Sequence, residues 1–157
     1  MRKQPQQQRA KKIVDDILEA AQLCIAEQGI VQVTTPKIAE KSGVSVGSIY
    51  QYFENKDEII QELLRRKSEN LGMAFKQIAI AQENLTLAEI VPISIQFGFD
   101  MMKADDGFFM EVLKHWHGYN NSEAAQILEK HFFEVGMYVF NRYFQHWNFE
   151  TLRNKSF

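Results

Sequence analysis

Apolar residues recur at three- and four-residue spacing along most of this chain. Ile13, Ile17, Ala20, Ala21, Cys24 and Ile25 make one such stripe, on a helix starting near Ala10. Gln28-Gly29 ends it, glycine being suited to a left-handed cap. Thr34-Thr35-Pro36 opens a second helix, with Thr35 as N-cap and Pro36 at the first helical position, where a missing N–H costs nothing. Ser42-Gly43 stops it. Ser45 caps a third short helix running to about Phe53. Asn55 starts a fourth, to about Ala81, with Asp57 and Glu58 in the first turn, where the helix dipole favours acids. Further helices are predicted over residues 85–104, 108–117 and 122–146. Pro92 either kinks the first of these or lies in its first turns. No segment alternates with a period of two, so the fold class is all-α. Residues 1–9, Gln-rich and basic, read as a flexible arm.

The composition is that of a folded domain: 157 residues, 45% hydrophobic and 24% charged. No apolar run approaches the roughly eighteen residues of a membrane span, and no apolar segment follows the basic N-terminus as in a secretory signal. The single cysteine, Cys24, fits a reducing cytoplasm and reads as a small core residue. A net charge of −2 leans against nucleic acid until the chain is divided. Residues 1–67 carry +2 and residues 68–157 carry −4, and only one of twelve Phe, Phe53, lies in the first part. Two modules follow: a head at 10–56 behind the 1–9 arm, and a helical body at 57–157.

The segment KIAEKSGVSVGSIYQYF, residues 37–53, has helix-turn-helix spacing. Two helices that cross steeply need a small residue where they touch, which Ala39 supplies. The turn needs a conformation that glycine adopts cheaply, which Gly43 supplies. Val44 and Ile49 then pack back on the first helix. The second helix projects, with Val46, Gly47, Ser48, Gln51 and Tyr52 largely free, in the manner of a helix that enters a major groove. Phe53 reads as core; Tyr50 reads equally as core or as surface.

ILEAAQLCIAEQG and TTPKIAEKSGVSVGSIYQYFENKDEII resemble the N-terminal domain of the TetR family of bacterial transcriptional regulators, over about residues 10–64. The resemblance includes the family's LY-x-YF-x-x-K-type signature, here Ile49 to Lys56. It implies a DNA-binding head, a long connecting helix, and a helical body that binds a small effector and dimerises. Carried over residue by residue, it places Thr34, Thr35 and Lys37 at phosphate. Ser45 opens the recognition helix, and Val46, Gly47 and Ser48 face base edges. Tyr50, Gln51 and Tyr52 lie along the groove wall, and Lys56 anchors a phosphate at the next helix. Three positions depart from the family. Pro36 and Val46 stand where members often carry side chains that reach bases, and Gly47 reads nothing itself. Direct readout is thin, and the basic arm is a candidate to compensate in the minor groove or at phosphates.

The body is rich in Phe and Met. It suits either an ordinary helical core or a pocket for a small hydrophobic effector, with Phe97, Met101, Phe109, Leu113, Trp116, Phe133 and Met137 as lining candidates. His115 and His117 are two apart on a helix, a poor chelating geometry, so no metal is expected, and no cofactor is implied. Nothing in the sequence supports catalysis. The expected partners are double-stranded DNA, the effector and, by resemblance, a second copy of the chain; no membrane is expected. The helices stop after the seventh, about two short of the four-helix dimer interface that the family uses. The leading reading is a repressor released from its operator by a hydrophobic effector. A truncated or monomeric relative with weak non-specific DNA binding and a helical protein-interaction module remain open.

Overall fold

The computed structural model describes residues 8–81, 84–104 and 107–144. Among these residues seven α-helices run in order: α1 (Gln8–Gln28), α2 (Thr35–Ser42), α3 (Val46–Ile49), α4 (Lys56–Ala81), α5 (Leu87–Ala104), α6 (Phe108–Lys114) and α7 (Glu123–Phe144). A short 3₁₀ turn, Trp116–Gly118, follows α6. The all-α expectation holds. α1 begins two residues earlier than expected, within the stretch read as an arm; the rest of that arm, residues 1–7, lies outside the described residues.

The helix boundaries follow from local chemistry. Gly29 adopts a φ of +80° after α1, and its N–H donates to the Ile25 carbonyl at 2.9 Å. The N-cap of α2 is Thr34, not Thr35: the Thr34 hydroxyl accepts from the Lys37 N–H, and Pro36 is the second helical residue. Thr35 is instead buried. Gly43, with φ +70°, caps α2 in the left-handed region. The Ser42 hydroxyl accepts from the Val44 N–H at 3.2 Å and fixes the turn. Regular helix in α3 is shorter than expected. It gives way after Ile49 to a tight turn in which the Tyr52 and Phe53 N–H groups both donate to the Ile49 carbonyl. Asn55 caps α4 through the Glu58 N–H at 3.0 Å, and the Glu58 carboxylate reaches back to the Glu54 N–H. Ser122 caps α7 through the Ala125 N–H at 3.2 Å. Pro92 lies in the second turn of α5, which continues past it.

The dense core lies in the head, although the aromatic residues lie in the body. Val14, Ile17, Ile25, Val33, Ile38, Ile49, Phe53, Ile59 and Ile60 are almost wholly buried together. Phe108 and Val112 of α6 and Ala124 of α7 join that same cluster, so the body is keyed into the head. Arg66 of α4 also pairs with Asp15 of α1 at 2.5 Å. In the body, α7 lies along α4. Gly72 makes this possible, since a Cβ there would sit 2.2 Å from Cγ of His131. Phe75 stands edge-on to Phe97 at 5.1 Å between ring centres and touches Phe132 at 5.4 Å. No helix among the described residues is long and apolar enough to cross a membrane.

Candidate nucleic-acid interface

The turn between α2 and α3 is built by residues that bury on one side and free the other. Ile49, Tyr52 and Phe53 stand at positions i, i+3 and i+4, a single face of a helical turn, and all three are buried in the head core. Tyr50 then points the other way and is 45% exposed. This corrects the expectation for Tyr52, which is only 7% exposed because its place in that stripe turns it inward. Ser45, Gly47 and Gln51 are exposed, and Ser48 is half-buried. Val46 is also half-buried, packed against the core rather than free. The Ser45 hydroxyl accepts from the Ser48 N–H at 3.1 Å and lies 2.8 Å from the Ser48 hydroxyl. The four-residue α3 is thus pinned at its start.

Gly47 has no packing reason within the chain. Its φ is not left-handed, and a Cβ built there meets nothing within 4 Å.

Two lysines expected at phosphate have partners inside the head. The Lys56 ammonium donates to the Val31 carbonyl at 3.2 Å and the Val33 carbonyl at 3.1 Å. It ties the loop after α1 to the start of α4. Lys37 donates to the Gln32 carbonyl at 3.1 Å and to the Gln28 side chain. Thr34 is exposed but acts as a cap. The outward face of this region is therefore mostly uncharged: Thr34, Pro36, Ser45, Gly47, Tyr50 and Gln51, with Lys37 at its edge. Cys24 is buried beneath α2, its Sγ 3.8 Å from the Lys37 carbonyl, and burial pushes its thiol up.

A cavity of about 370 Å³ lies between α4, α5, α6 and α7. Met101, Phe109 and Leu113, three of the pocket candidates, line it. Phe97 does not; its ring stands edge-on to that of Phe75, which does. Phe133 and Met137 do not line it either. They are 68% and 42% exposed on the outer side of α7, beside Lys76 and Ile80. The Trp116 side chain lies outside the described residues. Sequence reasoning missed the α4 wall, Leu64, Ser68, Leu71 and Phe75, although spacings of four, three and four were a usable signal. It also missed Tyr119, Leu128 and Phe132. Burial, with a smaller contribution from Asp57, pushes the Tyr119 phenol up.

α6 faces both compartments. Phe108 and Val112 enter the head core, while Phe109, Val112 and Leu113 border the cavity. The Glu111 carboxylate accepts from the Ile30 N–H at 3.3 Å, joining α6 to the end of α1, and Lys114 holds that carboxyl below its ordinary range. Among the described residues no three His, Cys, Asp or Glu side chains gather as a metal would need.

Comparison with known proteins agrees with this geometry. Residues 17–63 match the model of the bacterial regulatory proteins of the tetR family. A fatty acid metabolism regulator protein of Bacillus subtilis is 40% identical over 75 residues, 45% of this chain and 39% of that protein. The uncharacterized HTH-type transcriptional regulator YvkB of the same species is 28% identical over 118 residues, 72% of this chain and 62% of that protein. The chain thus spans less than two thirds of each of these curated relatives. Among solved structures, the fatty acid degradation regulator FadR of Bacillus halodurans shares the fold, with a TM-score of 0.62 at 24% identity, over 98% of this chain and 79% of that one. A TetR-family regulator of Haemophilus influenzae gives a TM-score of 0.55 at 21% identity, over 74% of this chain and 62% of that one. The matched family comprises transcriptional regulators, not enzymes. Residues 17–63 thus carry the helix-turn-helix domain of the tetR family of bacterial regulatory proteins, within a chain that shares the fold of the solved TetR-type regulators.

Proposed function

We propose that this protein is a sequence-specific DNA-binding repressor that a small hydrophobic effector releases from its operator. The observation that carries the reading is α3: capped by Ser45, anchored by Ile49, Tyr52 and Phe53, and leaving Gly47, Tyr50 and Gln51 exposed on its outer side. A glycine in a helix costs stability relative to alanine, and no internal contact explains Gly47. Close approach of an external backbone does. In this reading residues 10–56 read the DNA, with Ser45, Gly47, Ser48, Tyr50 and Gln51 nearest the groove and Thr34 and Lys37 at its edge. Residues 57–157 hold the effector. An occupant of the cavity presses on Phe109 and Leu113, and α6 passes that displacement to α1 through Phe108 and the Glu111–Ile30 bond. Two relatives named for fatty acid metabolism or degradation support an apolar effector.

The test is selection of binding sites from a random-sequence duplex library, then a salt titration of the winning site. Enrichment of a two-fold symmetric sequence, with affinity falling steeply as salt rises, is expected. Absence of any enriched sequence would overturn the reading.

A further inference from the structure

We propose that the cavity between α4, α5, α6 and α7 selects an uncharged molecule of about two fused rings and rejects carboxylate and ammonium analogues of the same skeleton. The proposal rests on the effector reading above but concerns binding alone.

None of the described residues that line the cavity carries a formal charge. Among the described residues, polar side chains enter the wall only at Ser68, Tyr119 and Ser122, and the Ser122 oxygen already accepts from the Ala125 N–H. Arg65, beside Ser122 in a neighbouring cleft, is clamped by Glu62 at 2.8 Å and Glu69 at 2.8 Å. Asp57, beside Tyr119, lines a different cleft and not this wall. A ligand charge taken into this space would lose its water and gain no counter-ion, the costliest way to bury an ion. Size is bounded as well. An apolar cavity of about 150 Å³ takes one benzene; this one, at about 370 Å³, has room for two fused rings and a small substituent. Phe75, Phe109, Tyr119 and Phe132 offer ring faces and edges to such a flat skeleton.

The experiment is calorimetry on the full chain without DNA, using 2-naphthalenemethanol, 2-naphthoate and 2-naphthylmethylammonium. The alcohol is expected to bind at least tenfold more tightly than either ion. Ala125→Phe, which fills the cavity from α7, is expected to weaken the alcohol at least tenfold. Gly98→Phe does the same from α5 should the first variant fail to fold. Equal or tighter binding of the acid or the ammonium would overturn the proposal. So would unchanged affinity in a folded cavity-filling variant, or no binding of the alcohol. Binding of the alcohol that leaves DNA affinity untouched supports this proposal while sinking the effector reading.

Discussion

Tyr50 and Tyr52 are two residues apart and should respond to the same substitution in opposite ways. Tyr52 is 7% exposed within the head core; Tyr50 is 45% exposed on the outer side of the turn. A buried aromatic side chain removes on the order of 150 Å² or more from water, and at about 25 cal/mol/Å² its loss is worth about 4 kcal/mol. That agrees with the roughly 3–5 kcal/mol typical of aromatic-to-alanine changes in cores. For a chain of this size each kcal/mol moves Tm by about 2–4 °C. Tyr52→Ala should therefore lower Tm by about 8–16 °C. Tyr50→Ala, with little burial to lose, should stay within about 0.5–1 kcal/mol of the parent. DNA affinity should divide the other way. Measured well below both melting temperatures on a selected site, Tyr50→Ala should weaken binding clearly. Tyr52→Ala should weaken it only as far as the head is unfolded. Urea denaturation followed by circular dichroism gives the stabilities, and fluorescence anisotropy gives the affinities. If Tyr52→Ala melts like the parent yet loses DNA, the inward assignment of the i, i+3, i+4 stripe is wrong.

Four further changes probe other parts of the structure. Gly47→Ala should stabilise the head by up to about 1 kcal/mol, because alanine favours helix and has space, while weakening DNA binding at least tenfold; a neutral effect on binding would remove Gly47 from the interface. Lys56→Met should cost about 1–2 kcal/mol in urea unfolding through the two lost carbonyl bonds, and a purely DNA-side defect would show that those bonds contribute nothing. Gly72→Ala should destabilise the chain by about 1–3 kcal/mol, since its Cβ would overlap the His131 ring on α7; unaltered melting would mean that the two helices shift apart at no cost. Burial raises the Glu62 carboxyl, but hydrogen bonds from Arg65 and Arg66 bring it below its ordinary 4.5, so its stabilisation is present above pH 4.5 and fades as pH falls further. The stability gap between the parent and Glu62→Gln should accordingly be widest above pH 4.5 and narrow below it; a gap independent of pH would refute the assignment.

Much of the head could be read from the chain because its signals are local. Gly29 and Gly43 are needed for backbone conformation, Ser45 and Asn55 cap the helix directly after them, and the apolar stripe of α1 is periodic. The facing of Tyr52 was also legible: Ile49 and Phe53 are plainly inward, and position 52 shares their side. The partners of Lys56 were not legible. They are carbonyls 23 and 25 residues back, reached only because the loop after α1 returns to the start of α4. Glu111 meets Ile30 across 81 residues for the same reason. On α7 the aromatic and Met positions are spread around the helix, so periodicity did not separate Phe132, on the cavity, from Phe133, facing outward. Only the position of α4, set by Gly72 against His131, decides that.

The charge split of the sequence changes meaning once partners are known. A surplus of cations in the first 67 residues suggested charges available to phosphate. In the structure Lys12 pairs with Asp16 and Lys41 with Glu27. Exposed pairs of this kind are worth less than about 1 kcal/mol, so a phosphate can exchange with them. Lys56 differs, because its carbonyl partners hold a loop in place and leaving them would loosen the head. Under the proposed function the cations would therefore divide into exchangeable ones, supplying salt-dependent affinity without sequence preference, and structural ones, which do not. Under the proposed function, discrimination between sequences would then fall to uncharged groups on and beside α3, namely Ser45, Ser48, Tyr50 and Gln51, with Gly47 setting how closely the helix could approach.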